Sequence, residues 1–222
     1  MLLMKPNNLD LTIDFHSHVL PGCDHGSYNV ETSLKQMELA RAAGIQTLCS
    51  TSHFYPHKES VESFLQRRQQ CYQTLQEARI PSGTAQQPQI LLGAEVLICE
   101  GMEDLPNLPD LCLQGTNLLL LEMPFYKWPE TIRETALAIH ERGDITVILA
   151  HVDRYPEEDI QALFDEGIRG QINADSLATK RRNRKTYLRW IHNQNILFLG
   201  SDIHGTDVGY KYWEKCYKLL QP

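Results

Sequence analysis

The chain has 222 residues, 42% of them hydrophobic, and a formal net charge of −7. That length suits one domain spanning residues 1–222, with enough apolar side chain for a real core. The acidic balance argues against a nucleic-acid binder, no apolar run approaches the ~20 residues of a membrane helix, and the N-terminus, polar within seven residues, has no signal-peptide core.

The first predicted element is a strand over residues 11–15, where apolar and polar residues alternate as in a half-buried strand. Val30, Leu34 and Met37 share one face of a helix that Gly44 closes. A strand over 45–51 follows, then a helix carrying Val61, Leu65, Tyr72 and Leu75. Residues 81–88 read as a surface loop, residues 89–98 as a strand, and residues 101–115, with Pro106, Asn107 and Pro109, as an irregular crossover. A strand over 117–122 holds four consecutive leucines, the pattern of a strand buried on both faces. Ile132, Ala136 and Ile139 mark a helix between Pro129 and Gly143, before a strand over 145–150. Pro156 opens a helix that carries Ile160 and Leu163 and stops at Gly167. A strand over 169–173 precedes the basic run Lys180-Arg181-Arg182-Asn183-Arg184-Lys185, which starts a solvated helix with Tyr187, Trp190 and Ile191. The last predicted strand covers 196–200.

Dense alternation of strands and helices predicts an α/β fold, and a closed parallel barrel in particular. An eight-stranded barrel needs about 250 residues. Seven strands in 222 residues therefore predict a reduced, TIM-like (β/α)7 barrel. Cys23, Cys49, Cys71, Cys99, Cys112 and Cys216 are scattered without a CxxC pair, as expected of reduced thiols in a cytoplasmic enzyme.

The ionisable residues collect at the ends of these strands. The first ends in His16-Ser17-His18, with Asp24 and His25 close behind. The second ends in His53, the third carries Glu95, the fourth ends in Glu122 and the fifth in His151, followed by Asp153 and Arg154. The sixth ends in Asn173 and the seventh in Asp202 and His204. In a parallel barrel all these ends lie on one face, where active sites sit. Loops are polar in any protein, and for Asp24, His57, Asp153 and Asp175 that ordinary reading weighs at least as much as a metal role. Glu122 and His151 fit it poorly, because each interrupts an apolar run and a buried carboxylate needs a partner. Histidine and carboxylate ligands without cysteine suit Mn, Fe or Zn. His16, His18, His25, His53, Glu95, Glu122, His151, Asp202 and His204 are too many for one ion, so two or three are expected. Such clusters mainly hydrolyse phosphoesters or amides. A cysteine-nucleophile phosphatase loop, a DxDxT-like aspartyl nucleophile, a GxxxxGK[ST] phosphate loop and a GxSxG serine elbow are all absent.

The motif Asp14-Phe15-His16-Ser17-His18 with Asp24-His25-Gly26 resembles the first motif of the polymerase-and-histidinol-phosphatase (PHP) superfamily. Thr51-Ser52-His53, Gly93-Ala94-Glu95, Leu121-Glu122, Ala150-His151-Val152-Asp153-Arg154-Tyr155, Gly170-Gln171-Ile172-Asn173-Ala174 and Ser201-Asp202-Ile203-His204 resemble its later motifs in order. The branch resembled is that of the bacterial manganese-dependent protein-tyrosine phosphatases of capsule and exopolysaccharide operons.

The resemblance implies a distorted seven-stranded PHP barrel with a trinuclear site. His16, His18, Glu95 and Asp202 would hold one ion, with Glu95 bridging; Glu122 and His151 would complete a second; His53 and His204 would hold the third. Arg154 would grip the substrate phosphate. Two departures stand out: His25 replaces a carboxylate of the branch, and no arginine follows His204, where the branch has a second one. Lys211, Lys215 and Lys218 are point charges without an arginine's bidentate grip.

The expectation is a metal-dependent phosphomonoesterase acting on phosphotyrosine. A metal-bridging hydroxide would attack phosphorus, with Arg154, Asp202 and His204 assisting. The partner would be a phosphotyrosine protein, such as the tail of a bacterial tyrosine kinase. A small-molecule phosphatase of histidinol-phosphate or nucleotide type, or a weakly catalytic PHP regulatory module, are the alternatives. Phe54, Tyr55, Phe125, Tyr126, Trp128 and Tyr155 follow strand ends and are candidates to flank a phenyl ring, against an ordinary role packing the rim.

Overall fold

A computed structural model describes residues 9–79, 87–205 and 208–220. The local rules that start and stop its helices are visible from the first one. Asn29 accepts a hydrogen bond from the Thr32 N–H at 2.9 Å and caps α1 (Val30–Ala42), and Gly44 leaves it at a φ of +87°. There follow β2 (Thr47–Ser50), β3 (His53–Phe54), α2 (Val61–Arg79), β4 (Gln89–Leu92) and β5 (Glu95–Leu97), after β1 (Ile13–Ser17) at the start. Next come β6 (Leu118–Glu122), α3 (Glu130–Glu141), β7 (Thr146–Leu149), α4 (Glu157–Asp165) and β8 (Arg169–Asn173). The chain closes with α5 (Ala174–Thr179), α6 (Arg184–His192), β9 (Ile196–Gly200) and α7 (Trp213–Leu220).

Every strand pairing is parallel. The strands form two sheets, in the orders β1-β2-β4 and β3-β5-β6-β7-β8-β9. One predicted strand is split, 89–98 becoming β4 and β5 around Gly93-Ala94; the predicted strand 45–51 is β2, and β3, beyond Thr51-Ser52, is an additional short strand. Thr51-Ser52 and Gly93-Ala94 each carry the chain from one sheet to the other. The sheets also meet where Ser17 bridges Ile203 and the His18 N–H donates to the Ile203 carbonyl at 3.3 Å.

The main core lies between strands and helices, with Leu119, Leu121, Val147, Leu149, Ile139, Leu163 and Trp190 among its members. A smaller cluster joins residues of both sheets: Phe15, Cys49, Leu120, Ile148 and Ala150, with Phe198 stacked on Phe15 at 3.8 Å. Leu118, Leu120 and Glu122 alternate along β6, so the face that fills this inner cluster carries a carboxylate at its C-terminal end.

Three expectations need correction or completion. β1 is buried on both faces rather than half-buried, because Asp14 is fully hydrogen-bonded: its carboxylate accepts from the Ser201 hydroxyl (2.6 Å), the Tyr210 hydroxyl (2.7 Å) and the Ser201 N–H (2.8 Å). Its register against β2 shifts between Asp14 and Ser17, an irregularity of the kind that re-aims side chains beside active sites. Helices α5 and α7 were not predicted. α5 is too short to show a period, and α7 is fixed by long-range contacts, with the Trp213 indole N–H donating to the Leu11 carbonyl at 2.8 Å. Residues 101–115 are irregular, as expected, with short 3-10 turns at Met102–Asp104 and Leu108–Leu111. The expectations for the first seven residues and for most of the 81–88 loop lie outside the described residues. No helix among the described residues is long and apolar enough to cross a membrane.

Candidate metal centre

The C-terminal strand ends bring histidines and carboxylates together in three overlapping groups. His16, His18, Glu95 and Asp202 form the first, His53, Glu95 and Glu122 the second, and His18, His53 and His204 the third. In the first, His16 Nε2 and His18 Nε2 are 3.2 Å apart. Each lies 3.2 Å from Glu95 Oε2 and 3.5 Å from Asp202 Oδ1. A tetrahedral site with metal–nitrogen bonds near 2.1 Å has ligand–ligand edges of about 3.4 Å. The four atoms therefore already stand at the spacing a cation needs. His151 flanks the second group, with its Nε2 2.8 Å from Glu95 Oε1 and 3.6 Å from Glu122 Oε1.

Surrounding hydrogen bonds set which ring nitrogen faces inward. The His151 N–H donates to Gln171 Oε1 at 2.7 Å, and a backbone N–H can only donate, so the orientation of the Gln171 amide is fixed. His16 Nδ1, 3.1 Å from the same oxygen, must then carry a proton, which leaves the Nε2 lone pair facing the carboxylates. Asp24 does the same for His18, accepting from its Nδ1 at 2.9 Å, and the Asp202 carbonyl does so for His204 Nδ1 at 3.0 Å. Carboxylate or carbonyl partners behind metal-binding imidazoles are the usual outer support of such sites. Gln171 also donates to Asn173 Oδ1 (2.9 Å), and Asn173 donates to Asp202 Oδ2 (3.2 Å), so one chain of amides positions His16, His151 and Asp202. Both nitrogens of His53, Glu95 Oε2 and His204 Nε2 are buried without a hydrogen-bond partner. Each costs free energy unless something satisfies it, and cations can take Glu95 Oε2, His204 Nε2 and the unprotonated nitrogen of His53. The donor set fits metal ions.

Charge points the same way. Burial raises the Glu95 and Asp202 carboxyls, but the His16 imidazole and its neighbours overcome it and hold both well below the usual carboxylate range. Burial lowers His18, yet Asp24, Asp202 and Glu95 bring it well above its ordinary value. His151 is likewise lowered by burial and raised, through Glu122 and Glu95, to about 9. Burial takes His53 down to about 3. The carboxylates thus favour positive charge on the His18 and His151 imidazoles, charge that a bound cation would replace. Two of its residues, His151 and Asp202, have left-handed backbones, at φ of 30° and 52°. Non-glycine residues in that region often mark functional sites.

Eight of the nine predicted ligands stand in or against the three groups. His25 is placed differently. It is exposed, and its ring stacks on His53 at 4.5 Å and on His204 at 4.7 Å, with neither nitrogen in a group. Asp24 supports His18 from behind and also accepts from the His53 N–H at 3.1 Å. Asp153 accepts from the Asn173 N–H at 2.9 Å, and His57 is exposed beside Tyr55. Arg154 pairs with Asp202 at the mouth. Lys211 and Lys215 lie against the Tyr212 ring and Lys218 pairs with Glu214, so none of them stands in for a second arginine. Sequence reasoning gave no role to Gln171 or Asp14. Their signal was a polar residue inside a strand buried on both faces.

Comparison with known proteins adds three findings. The family model for capsular polysaccharide synthesis, CpsB/CapC, matches residues 12–221. The tyrosine-protein phosphatase CpsB of Streptococcus agalactiae serotype V is 26% identical over 223 residues, spanning 94% of this chain and 89% of the relative, and the serotype III protein gives the same figures. A structure from the work on YwqE of Bacillus subtilis and CpsB of Streptococcus pneumoniae, described as metal-dependent tyrosine phosphatases, matches with a TM-score of 0.75. It is 23% identical and covers 94% of this chain and 85% of that one, a likeness of fold.

Proposed function

This chain belongs to the CpsB/CapC family of capsular polysaccharide synthesis, and we propose that it is a metal-dependent protein-tyrosine phosphatase. The observation that carries the reading is the set of three overlapping ligand groups sharing His18, His53 and Glu95. Two or three ions, manganese first and iron or zinc as alternatives, would be held by His16, His18, Glu95 and Asp202, by Glu95, Glu122 and His151, and by His53 and His204. His25 is the candidate further ligand of the last group. When bound, the ions supply Lewis acidity, acidifying water and screening the phosphoryl oxygens.

The chain's own residues do the rest. Gln171 and Asp24 hold His16 and His18 in the tautomer that leaves Nε2 free. Arg154, at the open edge of the cluster, takes the phosphate oxygens through its planar guanidinium. Asp202, ionised, has no proton to give, so assistance to the departing oxygen falls to His204. A phenolate needs less of that help than an alkoxide, because its conjugate acid has a pKa near 10. The seven strand runs are read as a distorted barrel forming one catalytic domain. The partner is a cytoplasmic phosphotyrosine protein, with the tail of a bacterial tyrosine kinase as the candidate, and six free cysteines suit that compartment.

The test compares kcat/KM for a tyrosine-phosphorylated peptide, a phosphoserine peptide and histidinol phosphate, with chelated protein and after manganese loading. Manganese-dependent preference for the tyrosine peptide is expected. Preference for histidinol phosphate or a nucleotide would leave a metal-dependent phosphatase but reject the tyrosine substrate. No hydrolysis after loading with manganese, iron or zinc in turn would reject the enzyme.

A further inference from the structure

Four large hydrophobic side chains stand exposed among the described residues: Tyr28, Phe125, Tyr126 and Tyr217. Phe125 is the one built against the cluster. It lies three residues beyond Glu122, and 66% of it faces solvent. Its ring lies nearly parallel to His151, 5.9 Å away at 23°, and to Tyr155, 6.1 Å away at 25°. The guanidinium carbon of Arg154 is 5.9 Å from the Phe125 centroid, while the same guanidinium pairs with Asp202. Arg154 therefore spans from a carboxylate of the first ligand group to the exposed ring.

From that juxtaposition, and resting on the phosphatase reading above, we infer that Phe125 sets specificity for aryl phosphates by stacking on the phenyl ring of the substrate. A phosphate held by Arg154 has its ester group beside Phe125. A phenyl ester presents a flat face to the exposed ring at offset-stacking distance. A serine phosphate presents one methylene and gains nothing there. Among the described residues none of the other candidate rings lies over the Arg154 guanidinium, although Tyr55 stacks on His53 at 5.3 Å. Phe54 is fully buried against Phe64, and the Tyr155 hydroxyl donates to the Met123 carbonyl and accepts from its N–H. The Trp128 indole donates to the Pro124 carbonyl, and Tyr55 is covered by Lys58 at 4.1 Å. Tyr126 makes no ring contact with the site among the described residues. Phe125 is a specificity residue, not a catalytic one, so its removal should act on binding.

The experiment uses manganese-loaded protein, wild type, Phe125→Ala and Phe125→Trp, on two peptides of one sequence carrying phosphotyrosine or phosphoserine. Phe125→Ala should raise KM for the phosphotyrosine peptide about five- to tenfold, the worth of one aromatic pair, and should move kcat much less. The ratio of kcat/KM between the two peptides should collapse by the same factor, and Phe125→Trp should restore it. An equal loss on both peptides would overturn the inference, since Phe125 would then be supporting His151; metal content measured alongside would show it. An unchanged ratio in Phe125→Ala would overturn it as well. A wild-type protein that cleaves neither peptide would instead sink the protein-tyrosine phosphatase reading itself, and this inference with it.

Discussion

Gln171 decides which nitrogen of His16 is available to a cation, although it touches no cation itself. Its amide takes its orientation from the His151 N–H and passes that choice to His16 Nδ1. Gln171→Leu should keep the fold and lower metal affinity about 10–100-fold, as loss of outer-shell partners does elsewhere. Calorimetric metal titration with circular dichroism as the fold control measures this, and wild-type affinity in the variant would refute it. Arg154 works by charge and geometry. Arg154→Ala should raise KM and lower kcat, at about 2–4 kcal/mol if it acts in the transition state. Steady-state kinetics on the phosphotyrosine peptide tests that, and the prediction fails if kcat/KM stays within twofold of wild type. His25 sits over His53 and His204 rather than among the ligand atoms. If it turns in to complete the third group, His25→Ala should lower metal content and His25→Asp should maintain it. Equal metal content in all three proteins would give His25 a packing role only.

Strand packing is tightest where the site is most sensitive. A Cβ on Gly200 would fall 2.5 Å from Gln171 Nε2 and 2.6 Å from His16 Cβ. Neither neighbour can move without disturbing a ligand, so Gly200→Ala should cost about 1–3 kcal/mol in overpacking. It should also reduce bound metal. A calorimetric Tm equal to wild type with full metal content would contradict this. The strands themselves were legible because leucine and isoleucine runs such as residues 118–121 announce burial on both faces, and because turn residues separate them. The ligand positions were legible for the same reason: a carboxylate directly after four leucines has no ordinary explanation. What the sequence hid depends on distance along the chain. The break at Gly93-Ala94 lies inside an apolar run and appears only when strands choose partners, and β3, two residues long, is too short to show a pattern. Helix α7 is held by contacts to Leu11 and Ala174 that no local pattern announces. Gln171 looked like a stray polar residue until His16, 155 residues away, was beside it.

For the molecule as a whole, the cluster couples folding to pH and metal. In chelated protein the His151 imidazole titrates near 9, above its ordinary value, because of Glu122 and Glu95. A raised pKa stabilises the fold fully below the unfolded value near 6.5, and the gain is lost as pH rises through about 9. Glu95, Asp24 and Asp202 are depressed, so their contribution is present above about 4 and is lost only as pH falls below the usual carboxylate range. The Tm of chelated protein should therefore fall between pH 6.5 and 9, and His151→Gln should reduce that fall without abolishing it, because His18 is raised as well. A flat Tm in the chelated wild type would disprove the coupling. Metal-loaded protein should melt higher at every pH above about 6.5, where its histidine ligands are neutral.

The junction of β1 with β9 has one more consequence. Asp14 and Ser201 are 187 positions apart, and the same seam places His16 and His18 against Asp202. During synthesis, the half-site of the first strand waits, incomplete, until nearly the whole polypeptide has been made. Closing so long a loop is slow, and metal capture by the complete first group cannot precede it. A nascent chain stalled before residue 196 holds the second group's residues but lacks Asp202 and His204, so it should bind metal more weakly than the finished site.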